Sequence, residues 1–250
     1  MQLLKIIILI YFTFIAGRFS EGKEYIIGVE NTMYYPHYNF AKSKESESYA
    51  KAVFDLFAEK KGYKLRYYSL PIKRLKESFL VEKTLDFLYP DHPWWTPDMK
   101  KDVQVVYSQT VVTAIGGTLV LPENKGRGID SFKKLGMIRG FTPFHWKELI
   151  EQKKVTISRS RDAPNLLEMV ILGRVDGADM ELSVANFHLQ RMGKLKSLIV
   201  DPDLPYVSNP FHLSTIKHPE IIQEFDMFLK ENEKILTSIK QRMNIIETIE

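Results

Sequence analysis

The chain has 250 residues, of which 44% are hydrophobic and 26% charged, a composition typical of a globular protein with one large domain or two modest ones. Its net charge of +4 falls to +2 without residues 1–20, which contain Lys5 and Arg18, and its basic residues are spread along the chain, so we expect no nucleic-acid partner. The absence of cysteine excludes disulfides, a lipidated N-terminal cysteine and thiolate metal sites.

Residues 1–20 carry the clearest targeting pattern. One basic residue, Lys5, precedes an apolar run at residues 6–17, which has the length of a signal-peptide core and is short for a membrane span. Ala16 and Gly17 match the small-residue cleavage pattern only roughly, so a retained N-terminal anchor is the alternative. We predict export to the periplasm through a signal peptide at residues 1–20.

The first hundred residues alternate between strand and helix patterns. Apolar positions three and four apart predict an amphipathic helix over residues 49–61 that ends at Gly62. Another helix, carrying Leu75 and Phe79, is predicted after Pro71. The predicted strands are residues 25–29, 65–69 and 85–89. The order of strand, helix, strand, helix and strand predicts parallel pairing in a doubly wound sheet.

A proline-stiffened aromatic loop follows the third predicted strand, before a further strand at residues 103–107. Its three prolines restrict φ and disfavour a helix, and they end the preceding strand at Pro90. Trp94 and Trp95 lie in its middle with polar neighbours at Asp91, His92 and Asp98. Aromatic faces on a stiff loop suit a small ligand. The alternative is a pair of rings that only cover the core.

A second copy of the alternation follows the apolar run at residues 111–121, whose glycine pair, Gly116 and Gly117, suits a crossing between two lobes. The proline-rich residues 202–210 suit a second crossing. The further predicted strands are residues 135–138, 155–157, 175–180 and 211–216, and the helices are residues 144–152, 164–172, 183–192 and 220–246.

The predicted fold is therefore α/β, with two doubly wound lobes joined by two crossings. Lobe 1 is predicted to comprise residues 24–113 plus 206–250, and lobe 2 residues 117–203. The C-terminal helix thus returns to the first lobe.

No catalytic or metal-binding signature is present in the sequence. The six histidines form no HExxH motif, and there is no nucleophile elbow or P-loop. Asp86 and Asp176 lie inside apolar runs, and we predict that they bind nearby backbone amides because a buried charge needs partners. We predict no enzymatic activity, no metal and no cofactor.

Aromatic and charged side chains follow several of the predicted strands. In parallel α/β sheets, ligands bind beyond the carboxyl ends of the strands, so these side chains are candidate ligand contacts. They are Tyr35, Tyr38, Trp94, Trp95, Arg139, Thr142 and Glu181. The alternatives are core packing for Tyr38, a surface ion pair for Arg139 and a solvated first helical turn for Glu181.

The order of these landmarks resembles family 3 of the extracellular solute-binding proteins, the polar amino-acid type that serves ABC transporters and sensors. Residues 35–38 are similar to the family's Y-P-P-F loop, residues 96–101 to T-P-E-R-x-x, and residues 173–178 to G-R-V-D-A-V. Arg74-Leu75, Leu85-Asp86 and Arg139-Gly140 also fall in the family's order. The resemblance covers about residues 24–246. It implies a type II periplasmic-binding-protein-like fold whose lobes close on a ligand.

Two departures from the family pattern bear on the ligand. Met99 stands where the family has an Arg that clamps the ligand's α-carboxylate, and a thioether cannot replace a bidentate guanidinium. Lys100 and Lys101 are adjacent but point elsewhere on a helix. The family's G-x-D-x-D-L segment is replaced by residues 43–48. Glu181 falls where the family binds the ligand amine, so the resemblance implies that this half of the site is kept. Because of the two departures, we expect a ligand other than an ordinary α-amino acid.

We predict a monomeric, exported solute-binding protein that captures a small polar or charged molecule between its lobes. Its partner would be an ABC transporter permease or a membrane sensor. Arg74 and Arg161 are the reserve candidates for a carboxylate anchor, and a helix after Gly140 would offer free amides to an anion. The alternatives are a sensor or interaction module without ligand capture, and an enzyme like the cyclohexadienyl dehydratases that uses Glu181 or Asp91.

Overall fold

The computed structural model describes residues 22–40 and 47–249. The predicted signal peptide, residues 1–20, lies outside these residues, as do residues 43–46. Within the described ranges no helix has the length and apolar character needed to cross a membrane.

The described residues form short strands and helices that alternate along most of the chain. The strands are β1 (Glu24–Glu30), β2 (Lys64–Leu70), β3 (Phe87–Asp91), β4 (Val106–Tyr107), β5 (Val112–Val120), β6 (Lys134–Ile138), β7 (Thr156–Ser160), β8 (Gly177–Glu181), β9 (Ile199–Val200) and β10 (Val207–Thr215). The helices are α1 (Tyr49–Lys61), α2 (Ile72–Lys76), α3 (Pro97–Lys100), α4 (Lys147–Glu151), α5 (Ala163–Ile171), α6 (Leu182–Arg191), α7 (Pro219–Glu231) and α8 (Glu233–Arg242).

Two sheets share strand β10. The first has the order β2-β1-β3-β10, with β4 also paired to β10. The second has the order β10-β5-β8-β6-β7, with β9 also paired to β5. Strand β1 is parallel to β2 and β3, and β6 is parallel to β7 and β8. We call the first sheet and its helices lobe 1, and the second sheet and its helices lobe 2. The predicted fold of two doubly wound halves is confirmed, although the bounds predicted for each lobe stay a prediction.

Strands β5 and β10 are the two crossings. Residues Val207 to Phe211 of β10 pair with β5, whereas His212 to Thr215 pair with β3 and β4. The hydrogen-bonded path therefore continues from β2 to β7 through one shared strand. The second crossing is strand β10, which begins at Val207 and includes Pro210, whereas the sequence predicts that the strand begins at Phe211 after a proline-rich passage.

Each sheet carries packing on both of its faces. In lobe 1, α1 and α7 bury an aromatic-rich core on one face, including Phe54, Phe57 and Phe225, and α2 covers the other face with Leu75. In lobe 2 the larger core is aliphatic and comes mainly from α5, α6 and β8. The predicted doubly wound arrangement follows from this two-sided burial.

The predicted helix over residues 49–61 is confirmed at both ends. Its apolar positions, including Val53, Phe54 and Phe57, are buried against the sheet. It ends where Gly62 adopts the left-handed conformation, with φ of 70°, which a residue without Cβ adopts at little cost.

Two predicted ends are wrong. Strand β3 continues through Pro90 to Asp91 instead of ending before the proline. The pairing of β3 with β10 shifts register between His212 and Ser214, opposite Pro90. The proline, which has no N–H to donate, is therefore accommodated in a β-bulge, and the pairing of the two strands continues beyond it. The C-terminal helix is also interrupted, because Asn232 leaves helical geometry and its side-chain amide donates to the Phe228 carbonyl.

Three other predicted regions differ from the structure. Residues 103–107 contribute only the two-residue strand β4, and the loop predicted around Pro97 contains the single turn of α3. The helix predicted from Phe144 begins at Lys147, after a 3₁₀ turn that ends at the buried Trp146. The prediction that a helix after Gly140 offers free backbone N–H groups to an anion is therefore wrong. The chain there forms a turn, and α4 starts seven residues later.

Candidate functional site

The carboxyl ends of β1 and β3 in lobe 1 face the carboxyl end of β8 in lobe 2. Two pairs of side chains meet across the gap between them. The rings of Tyr35 and Phe187 lie 4.4 Å apart, centroid to centroid, and Nε2 of His37 lies 2.9 Å from Oε1 of Glu181. Since Phe187 and Glu181 belong to lobe 2, this gap is the candidate ligand site.

Two backbone hydrogen bonds between Tyr34 and Tyr38 close the loop after β1. The N–H of Tyr34 donates to the Tyr38 carbonyl at 3.0 Å, and the reverse bond measures 3.1 Å. The two phenol rings stack at 5.2 Å, and the Tyr38 hydroxyl donates to Oε2 of Glu30 at 2.6 Å. Burial raises the pKa of Tyr38 well above its usual value. Tyr38 therefore packs inside lobe 1 and holds Glu30 in place.

Glu181 is buried at the gap and is not a solvated residue of the first helical turn. Its Oε2 accepts from the Val184 N–H at 2.7 Å, which caps α6, and its Oε1 accepts from the Ser183 hydroxyl at 3.1 Å. His37 approaches the same Oε1, at ion-pair distance but without the alignment of a hydrogen bond. Both side chains of this pair are buried. The position that the family resemblance gives to a ligand amine thus contacts the chain's own imidazole.

Tyr34 lies between carboxylates of the two lobes. Burial raises the pKa of its phenol well above the usual value, and the charges of Glu181, Glu30 and Asp179 raise it further. On the lobe 2 side, His145 Nε2 lies 3.0 Å from Oδ1 of Asp179. The acidic groups of lobe 2 at this edge therefore both have histidine neighbours.

Asp91, at the end of β3, forms a buried ion pair. Its Oδ1 accepts from Nζ of Lys100 and from the His92 N–H, each at 2.8 Å, and its Oδ2 accepts from the Ser214 hydroxyl at 2.7 Å. Lys100 also donates to the His92 carbonyl. Because Lys100 turns inward, it does not take the place of the guanidinium missing at Met99.

The two tryptophans have different surroundings. Trp94 is 84% exposed, whereas Trp95 is half-buried with its ring 5.8 Å from that of Phe211. Nζ of Lys76 lies 5.6 Å from the Trp95 ring centroid and donates to the Thr96 hydroxyl at 3.3 Å. Burial lowers the pKa of Lys76, although the charges of Asp91 and Glu30 oppose the change. Lys76 thus joins the gap as a cation that the sequence analysis did not single out.

The remaining predicted contacts lie apart from this cluster. Arg74 is exposed on α2 and pairs with Glu77 and Glu82, and the exposed Arg161 pairs with Asp162. Arg139 and Thr142 lie in the exposed loop after β6, where the Arg139 N–H donates to the Ser160 carbonyl. Of the predicted set, Tyr35 and Glu181 come together at the gap, and Trp95 lies beside Lys76.

Asp86 and Asp176 have the structural role that the sequence predicts. Oδ2 of Asp86 accepts from the Ile26 N–H at 2.8 Å, and Oδ2 of Asp176 accepts from the N–H groups of Lys133 and Lys134 at 2.7 Å. Hydrogen bonds from Ile26, Lys217 and His218 outweigh burial and lower the pKa of Asp86. These carboxylates brace strand ends and are not free for a ligand.

Comparisons with known proteins identify the architecture. No family model and no curated protein sequence matches this chain. Substrate-binding domain 2 of Lactococcus lactis GlnP, in an open conformation, matches with a TM-score of 0.65 and 13% identity over 92% of this chain and 98% of that one. A histidine kinase sensor domain with similarity to periplasmic binding proteins matches with a TM-score of 0.65 and 13% identity over 89% and 96%. An ancestral amino-acid-binding protein, a precursor of cyclohexadienyl dehydratase, matches with a TM-score of 0.62 and 17% identity over 88% and 95%.

The fold is that of a type II periplasmic binding protein. In this periplasmic-binding-protein-like chain a groove of about 710 Å³ lies outside the gap, between α1 and α8 on lobe 1. Its floor is apolar at Leu56 and Ile239, and its rim pairs Lys51 with Asp55. The groove is open, its charged side chains include the pairs Lys51–Asp55 and Arg242–Glu47, and all of its lining residues belong to lobe 1. We therefore place the candidate site in the gap, where side chains of both lobes meet.

Among the residues of this periplasmic-binding-protein-like fold that sequence reasoning missed, His37 and Lys76 matter most. His37 lies inside the quoted Y-P-H-Y loop, so the motif contained the residue but gave no sign of its partner. Lys76 belongs to a charged helix, residues 72–77, in which nothing separates it from Lys73 or Arg74. Only the fold brings it beside Trp95.

Proposed function

We propose that this protein captures a small polar or charged molecule between its two lobes and presents it to a membrane partner. The observation that carries the proposal is that side chains of both lobes meet across the gap, at Tyr35–Phe187 and His37–Glu181. A ligand that touches both sides can drive closure, since only differential contact with the open and closed states shifts the equilibrium.

The partner is a transporter permease or a membrane sensor. Support comes from two of the similar structures, one a substrate-binding domain of GlnP and the other a histidine kinase sensor domain. On this proposal the chain is a member of the family 3 solute-binding proteins, monomeric, and exported by the signal at residues 1–20. The lobes are those predicted, residues 24–113 plus 206–250 and residues 117–203.

The ligand is not an ordinary α-amino acid on this proposal. Met99 has no group that binds a carboxylate, and both oxygens of Glu181 already accept hydrogen bonds from the chain. The lobe 1 contacts would come from Tyr35, Trp94 and Trp95, with Tyr38 supporting them from inside. The lobe 2 contacts would come from Arg139 and Thr142, which are exposed and have room to reach a ligand.

A thermal-shift screen tests the proposal. Amino acids, amines, organic acids and short peptides are added to the purified protein at high concentration. A ligand at a hundred times its dissociation constant adds about 2.7 kcal/mol to the free energy of unfolding. Trp94→Ala and Trp95→Ala should each weaken binding of the ligand found, and Arg242→Ala, on α8 outside the gap, serves as the control. No shift with any compound of the panel would contradict ligand capture.

A sensor or interaction module that has lost capture is the second candidate. The specific observation in its favour is that His37 and Tyr35 fill the gap with the chain's own side chains. Small-angle scattering separates the two candidates. A capture protein should change its radius of gyration when the ligand binds, whereas a permanently closed module should keep one radius under all conditions.

The dehydratase-like alternative has less support. One similar structure is a precursor of cyclohexadienyl dehydratase, but Asp91 and Glu181 are both buried and bonded, so neither is placed for acid–base work on a substrate. Incubation with prephenate or arogenate should leave the absorbance unchanged. Formation of an aromatic product would favour the enzyme and overturn this assignment.

A further inference from the structure

Most charged groups at the lobe edges are paired within the chain. Asp91 pairs with Lys100, Glu181 contacts His37, and Asp179 contacts His145. Lys76 differs from the cations in this set, because among residues 22–40 and 47–249 its Nζ forms no ion pair with a carboxylate. Partial burial of a cation that has no ion pair costs desolvation free energy, so binding of an anion next to it would be favourable.

The surroundings of Lys76 suit an acidic ligand. Nζ lies 5.6 Å from the centroid of the Trp95 ring and 3.3 Å from the Thr96 hydroxyl. The indole supplies an apolar surface for the body of a ligand, and the hydroxyl supplies a second hydrogen-bonding group next to the ammonium. Nearby, Asp91 already holds Lys100, and Glu30 holds the Tyr38 hydroxyl. At this edge of lobe 1, Lys76 is therefore a cation that remains open to a carboxylate.

The carboxylates of Glu181, Asp179 and Glu30 at the gap each have a contact within the chain already. Oε1 of Glu181 accepts from Ser183 and lies beside His37, and its Oε2 accepts from Val184. Oδ1 of Asp179 lies 3.0 Å from His145. A ligand ammonium at Glu181 would have to displace one of its contacts, whereas a ligand carboxylate at Lys76 displaces no ion pair.

We propose that Lys76 is the anion anchor of the gap and that the ligand is a small organic acid without an ammonium group. The inference rests on the proposed function, since it requires that a ligand enters the gap. It moves the carboxylate site from Met99 on α3 to Lys76 on α2, where the Trp95 ring forms its wall.

The test measures binding of matched probes to the full chain. The acids are lactate, succinate, benzoate and indole-3-acetate, the amines are ethanolamine, putrescine, benzylamine and tryptamine, and a set of α-amino acids completes the panel. Calorimetry gives the dissociation constants, and tryptophan fluorescence reports contact with Trp95 for the probes without an indole. The variants are Lys76→Met, Lys76→Arg and the control Lys73→Met, which removes the same charge from the exposed side of α2.

We expect at least one acid to bind and the amines and α-amino acids not to bind. Lys76→Met should weaken the acid about tenfold or more, as expected for the loss of a charge-assisted hydrogen bond. Lys76→Arg should retain more affinity than Lys76→Met, and Lys73→Met should remain within about twofold of the wild type. If Lys76→Met does not fold, Lys76→Gln is compared with Lys76→Arg in the same way.

Each other outcome overturns the inference. Binding of an acid that is indifferent to Lys76→Met would remove the anchor, and binding of amines or α-amino acids alone would remove the ligand class. In both cases ligand capture itself would stand. If the wild type binds no probe of this panel, nor any compound of the broader screen, the anchor and the capture function fail together.

Discussion

The two edges that face the gap are built differently. On lobe 1, the side chains of Tyr38, Asp91 and Lys100 are buried and bonded to their own lobe. On lobe 2, the loop after β6 exposes Arg139 and Phe144, the latter by 76%. The difference teaches that these lobe 1 side chains are held in a fixed arrangement, whereas the loop after β6 in lobe 2 presents side chains that are free to adapt.

The largest expected contrast lies between the lobe 1 core and the lobe 2 edge. Phe225→Ala should lower the free energy of unfolding by about 3–5 kcal/mol, because the ring is fully buried against Phe54 and Phe57. Phe144→Ala should change it by less than about 0.5 kcal/mol. Chemical denaturation measures both, and equal effects would break the comparison.

The second contrast is between a buried and an exposed ion pair. Asp91→Ala should cost about 3 kcal/mol, because it leaves Lys100 buried without its partner and frees the Ser214 hydroxyl. Arg161→Ala, in the exposed pair with Asp162, should cost less than about 0.5 kcal/mol. Urea titrations of the two variants give the values. A small loss at Asp91 would mean that the lobe 1 edge is less rigid than we infer.

The two helix caps of lobe 2 form the third comparison. Glu181 caps α6 at the gap, and Asp162 caps the exposed start of α5 by accepting from Asn165. Asp162→Ala should cost about 1 kcal/mol, and Glu181→Ala about 2 kcal/mol, since the latter also leaves His37 buried without its neighbour. Glu181→Ala should also increase the radius of gyration, whereas Asp162→Ala should leave it unchanged. Equal radii would show that the His37 contact does not hold the lobes together.

The smallest expected effect concerns pH, and it has opposite signs at two carboxylates of lobe 1. Hydrogen bonds lower the pKa of Asp86, so its stabilisation is present above the unfolded pKa of about 3.9 and is lost as the pH falls through the lower folded pKa. Desolvation raises the pKa of Glu30, so its contribution is present below the unfolded pKa of about 4.3 and is lost as the pH rises through the folded pKa.

The matched variants are Asp86→Asn and Glu30→Gln. At pH 7, Asp86→Asn should lower the melting temperature, and this difference should shrink as the pH falls below about 4. Glu30→Gln should raise the melting temperature at pH 7 and lose that advantage as the pH approaches about 4. Melting curves at intervals across this range follow both. The same sign for the two variants would contradict the environments described for these carboxyl groups.

Local patterns in the sequence predict much of the fold because the residues that determine a helix or strand lie within that same segment. The spacing of Val53, Phe54 and Phe57 and the stop at Gly62 define α1, and the apolar run around Asp86 requires a bonded carboxylate. Pro90 misled the prediction of β3 because the strand accommodates it in a bulge, where the three steps from Leu88 to Asp91 oppose two steps of β10. The partner strand lies more than a hundred residues away in the sequence. Asn232 ends α7 through its side-chain amide, which hydropathy does not register.

The candidate site was harder to predict than the fold. The turns that carry Tyr35, Trp95 and Glu181 follow from strand order, since parallel strands end at one edge. The contact of His37 with Glu181 joins residues of different lobes, and no spacing in the chain specifies it. What distinguishes Lys76 is that no carboxylate of residues 22–40 and 47–249 forms an ion pair with it, and this depends on its neighbours in space.

Strand β10 changes partners at Phe211, the last residue paired with β5, before His212 joins lobe 1. The Phe211 ring lies 6.0 Å from that of His37 and 5.8 Å from that of Trp95, so it touches both aromatic loops of lobe 1. A twist of one half of the molecule relative to the other therefore passes through a residue that is in contact with the binding loops. A change in the angle between the two halves would therefore move the Phe211 side chain, and this side chain contacts both loops directly.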